Sequence, residues 1–123
     1  MSVKNLAAVV LLVATTTFAG AHAPKVGANG GPQADAGSFH VEVVAKGTSL
    51  QVFLRDHSDK VVLTDGYKGT AIFVVDGKPQ RIPLAPAGDN ALTGTSTVTI
   101  PREPKGAVQI TTPTGSTVQA KFN

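Results

Sequence analysis

Three histidines, His22, His40 and His57, supply the imidazole nitrogens of this chain, and carboxylates stand close to two of them. Imidazole and carboxylate together suit a divalent ion such as Cu(II) or Zn(II). The sequence has no cysteine and only the initiator methionine, so thiolate and thioether ligands are excluded. A metal site must use nitrogen and oxygen. His40 lies in Phe39-His40-Val41-Glu42-Val43, where the two-residue period of a strand puts His40 and Glu42 on one face and Val41 and Val43 on the other. His57 lies in Arg55-Asp56-His57-Ser58-Asp59, a turn-forming composition in which Asp56 offers an oxygen. The candidate metal ligands are therefore His22, His40, His57, Glu42 and Asp56. Each has a plainer reading beside it: His40 and Glu42 can simply pair on a solvent face, and Asp56 and His57 can be turn chemistry.

His22 depends on processing. Lys4, the apolar run Leu6 to Val13 and the small residues Thr15 to Ala23 have the three-part pattern of a secretory signal. That run is shorter than the ~20 residues of a membrane-spanning helix. Cleavage after Ala21 starts the mature chain at His22, whose free amine and imidazole chelate copper together. Cleavage after Ala23 would put Pro24 first, a poor substrate bond. The expected organisation is a signal peptide over 1–21, a flexible Gly/Pro-rich arm over 22–37 and a β-sandwich domain over 38–123, in the periplasm or secreted.

Other chemistries find no support. The EF-hand calcium spacing is missing around Asp56 and Asp59. Gly27-Ala28-Asn29-Gly30-Gly31 has neither the Lys-Ser/Thr of a phosphate loop nor the preceding strand of a dinucleotide fingerprint. No serine sits in a nucleophile elbow, so no enzyme activity is expected. Setting Lys4 aside, ten of the eleven basic residues face eight acidic ones, scattered without a basic stripe, which argues against nucleic-acid binding.

The elements that must position these residues are strands. Runs over 38–45, 49–56, 60–64, 70–76, 79–85, 96–100, 107–112 and 117–122 are β-rich and separated by turn residues. The alternation Leu50, Val52, Leu54 against Gln51, Phe53, Arg55 marks one buried face. Asp76-Gly77 is a hairpin signal, and Pro79 and Pro83 push the following strand to a sheet edge. Such spacing predicts an all-β, antiparallel fold, an immunoglobulin-like β-sandwich first and an open Greek-key barrel as the alternative. Phe39, Phe53, Phe73, Phe122 and Tyr67 are the large core candidates. A first hairpin turning near Gly47 puts His40 level with residue 54 or 55, and so brings His57 within a few residues of it.

Beyond these patterns, Asn29-Gly30-Gly31, the run Ala36 to Val44, Asp56-His57-Ser58-Asp59-Lys60, Gly69-Thr70-Ala71 and the run Leu84 to Gly94 resemble small exported bacterial proteins associated with heavy-metal efflux systems. Similar segments occur near the start of the periplasmic adaptor subunits of such pumps, where His often precedes the Gly-Gly and Asn29 stands here. His22-Ala23-Pro24-Lys25 also resembles the mature start of periplasmic copper-resistance carriers, β-sandwiches of about this length, without their later His-containing segment. The resemblance implies a metal-homeostasis accessory protein that binds Cu(II) or Zn(II), with a pump adaptor or another periplasmic protein as partner. The rival expectation is a structural or protein-interaction module that holds no metal.

Overall fold

The computed structural model describes residues 25–88 and 90–123. The expected signal peptide and His22 lie outside the described residues. Within them every regular element is a strand: β1 (Lys25–Val26), β2 (Pro32–Ala36), β3 (Phe39–Lys46), β4 (Ser49–Arg55), β5 (Lys68–Val75), β6 (Lys78–Ala87), β7 (Ala91–Thr95), β8 (Gly106–Thr111) and β9 (Thr117–Phe122). All neighbours pair antiparallel, in the order β1-β2-β3-β4-β7-β6-β5-β8-β9. The sheet is continuous and curls into a half-barrel around one core, which is nearer to the open barrel than to two facing sheets.

The curl has a local cause. Residues 78–84 of β6 pair with β5, and residues 85–87 pair with β7, so one strand serves two parts of the sheet in succession. Pro79 and Pro83 fall in the first part, where the ladder uses only one side of β6, and a missing N–H costs nothing there. Asp76 and Gly77 both have positive φ, 51° and 75°, as the two-residue turn between β5 and β6 requires.

The inner face is apolar. Val41, Val43, Leu50, Val52 and Leu54 are fully buried, as their alternation predicts, and pack with Phe73, Ile82, Leu92, Val108, Ile110 and Phe122. Phe39 and Tyr67 meet edge to face at 6.1 Å on the margin of this cluster. Phe53 is a correction: it shares the phase of Gln51 and Arg55, so it lies half-buried on the outer face beside Glu42 rather than in the core.

Three further expectations are revised. The arm over 22–37 is, from Lys25 onward, the hairpin of β1 and β2, with β2 paired to β3, because ladder pairing outweighs the poor strand propensity of Pro32-Gln33-Ala34-Asp35-Ala36. The run 60–64 makes a single bridge, Val61 to Arg55, instead of a strand. The strand expected over 96–100 sits earlier, at 91–95. Residues 96–100 instead close over the β3–β4 turn, with Ser96 N donating to Thr48 O and Ile100 N to Gly47 O. Two long connections, 56–67 and 96–105, carry the β5–β6–β7 meander into its place between β4 and β8. The first of them carries the candidate site.

Candidate metal site at the His40–His57 corner

His40 stands opposite Arg55 across β3 and β4, within the register expected from the Gly47 turn. Arg55 bridges in turn to Val61, and Asp35 faces His40 from β2, so Asp35, His40, Arg55 and Val61 form one row on the outer face. Directly opposite residues share a face. His57 follows two residues after Arg55 and folds back over this row. Its ring centroid lies 6.4 Å from that of His40, with the planes nearly perpendicular at 89°.

The turn that carries His57 is held by Asp56. Its Oδ1 accepts from Ser58 N at 2.8 Å and Lys60 N at 3.0 Å, and Arg55 Nη1 donates to Asp59 O at 2.8 Å. Asp59 takes φ 61°, which short polar side chains tolerate. Asp56 thus acts as the turn former, with one oxygen committed to backbone amides.

Asp35 is the residue that sequence reasoning missed. Its Oδ1 lies 2.7 Å from His40 Nδ1. A carboxylate there accepts the Nδ1 proton, which leaves Nε2 with the lone pair, the arrangement found behind metal-bound imidazoles. A signal for it existed: Gly37-Ser38 is a two-residue hairpin turn joining Ala36 to Phe39, and such a turn puts Asp35 level with His40.

Glu42 is a correction. It shares the outer face with His40 as expected, yet it is only 2% exposed, because the turn from Gly27 to Gly31 lies over it. Asn29 N donates to Oε2 at 2.9 Å, Asn29 Nδ2 to Oε1 at 3.0 Å and Gly31 N to Oε2 at 2.8 Å. Both oxygens are engaged, so Glu42 serves as a clamp for the β1–β2 hairpin and not as a ligand. The glycines permit the contact: a Cβ on Gly27 would collide with the Glu42 carboxyl, and one on Gly31 with Val43 O.

The structure therefore brings His40 and His57 together, adds Asp35, and takes Glu42 away. Among the described residues no three His or carboxylate side chains are placed to hold one metal ion between them. No family model matches the chain, and neither a curated protein nor a solved structure is detectably similar to it. Among the described residues no helix is long and apolar enough to cross a membrane.

Proposed function

We propose that this chain is an extracytoplasmic accessory domain that binds a divalent ion, Cu(II) or Zn(II), through His40 and His57. The supporting observation is the Asp35–His40–His57 arrangement, with one imidazole oriented by a carboxylate and a second beside it. Two imidazoles on one tetrahedral ion, with metal–nitrogen bonds of 2.0–2.1 Å, have centroids roughly 5 Å apart, and trans ligands somewhat more than 6 Å. The observed 6.4 Å needs at most a small swing of the exposed His57. His22, expected at the mature start, lies outside the described residues, and the reading rests on His40 and His57.

The setting is the periplasm or the exterior, and a pump adaptor is the partner that the resemblance of the segments around Asn29 and Asp56 suggests. Calorimetric titration of the exported protein with Cu(II) and Zn(II) tests the reading. Submicromolar binding that weakens at least tenfold, about 1.4 kcal/mol, in both His40→Ala and His57→Ala supports it. Parental affinity in both variants overturns it. A second reading, an interaction module without metal, draws on the cleft of about 550 Å³ between β2 and β9, lined by Gln33, Asp35, Glu103, Lys121 and Phe122. Undetectable metal binding favours that reading.

A further inference from the structure

The described ligand set is two imidazoles on an open outer face, and a borderline divalent ion such as Zn(II) takes four ligands in a tetrahedron. We infer that a second copy of this chain supplies the other two, so that Zn(II) bridges His40 and His57 of both protomers across a two-fold axis. This rests on the metal reading above and names its partner.

Three features of the surface around the pair fit such a contact. First, a two-fold interface uses the same patch twice, so two histidines become four without any further residue. Second, the patch is charge-matched to the ion. Asp35 lies against His40, and the segment Arg55 to Lys60 that carries His57 holds two acids and two bases, so one acid is in excess per protomer and two protomers with one divalent ion sum to neutrality. Third, the connection after β4 leaves two of its large apolar side chains, Val61 and Leu63, uncovered, while Val62 and Tyr67 pack against the core. Val61 is 46% exposed and Leu63 66%, whereas Thr64 just beyond is fully buried. Val61 lies in the row of His40 and Arg55, two strand spacings or about 10 Å from His40. An isologous partner docked on the metal would cover both residues and remove them from water.

Sedimentation of the full exported chain during Zn(II) titration tests this. The expected result is a monomer without metal, a dimer that peaks at about half an equivalent of Zn(II), and a return to monomer in excess metal as each pair of histidines takes its own ion. Leu63→Asp should weaken the dimer at least tenfold while Zn(II) is still bound. Tight binding of one Zn(II) per monomer with no dimer at half an equivalent overturns the bridge and leaves the metal reading standing. Absence of Zn(II) and Cu(II) binding overturns both. Dimer formation unchanged in the double variant His40→Ala/His57→Ala also overturns the bridge, since the contact would then owe nothing to the metal.

Discussion

Along β3, Val41 and Val43 point into the barrel while His40 and Glu42 point out of it, and all four share one backbone. The inner pair is buried by what its own alternation dictates: apolar neighbours on β4 and across the core. The outer pair divides. Glu42 is almost as buried as the valines, yet it is covered by a turn and satisfied by three N–H donors, while His40 stays open toward His57. Burial on the inner face follows from period two. Burial on the outer face depends on which segment of chain comes to lie there.

The largest effect should come from the inner face. Phe73→Ala removes the largest fully buried side chain, which meets Phe122 edge to face at 6.2 Å, and should cost about 3–5 kcal/mol in chemical denaturation. A loss below about 1 kcal/mol would mean that the core is not shared as described. Next, Glu42→Ala leaves Gly31 N and the Asn29 donors without their acceptor, and should cost about 1–3 kcal/mol. Hydrogen exchange should then rise through β1 and β2 and remain slow in β5 and β8. Uniform loss of protection would make the clamp part of the global core and erase the contrast between the two faces.

Asp35→Ala separates site from scaffold. An exposed carboxylate–imidazole pair contributes at most about 1 kcal/mol to stability, but loss of the carboxylate behind a metal-bound imidazole weakens binding about 10–100-fold. Unchanged metal affinity in this variant would reduce Asp35 to a surface partner. The smallest effect belongs to Leu63→Ser, within about 0.5 kcal/mol of the parent in the metal-free monomer, because that side chain is two-thirds exposed. A larger change would place Leu63 in a contact of the single chain.

Much of this was legible in the residues. The alternation through Leu50, Val52 and Leu54 fixes the inner face, the Gly47 turn fixes the β3–β4 register, and Asp76-Gly77 fixes the next hairpin. The juxtaposition of His40 and His57 follows from that register. What stayed hidden was long-range. Pro32 to Ala36 has almost no strand propensity and becomes β2 only because β3 offers a ladder. The strand after Gly88 falls at 91–95 rather than 96–100 because Val52 and Phe53 pair with Leu92 and Ala91. Glu42 carries nothing local to mark it as covered, since its donors come from a turn whose glycines read as a loose arm. Asp35 was hidden by the same misreading, although Gly37-Ser38 was present to correct it.

The place of β7 between β4 and β6 also sets an order of events in time. The hairpins β3–β4, β5–β6 and β8–β9 each close over turns of a few residues, which takes microseconds. The β4–β7 ladder joins Val52 to Leu92, partners separated by the whole 56–67 connection and the whole β5–β6 hairpin. Closing that span comes late and places the chain among the slow, non-local folders, in the millisecond-to-second range. Until β7 arrives, β4 carries an unpaired edge and an uncovered apolar face, the combination that recruits strands from other chains. For a newly made copy of this protein, the interval before that one strand docks is the period of greatest exposure to misassembly.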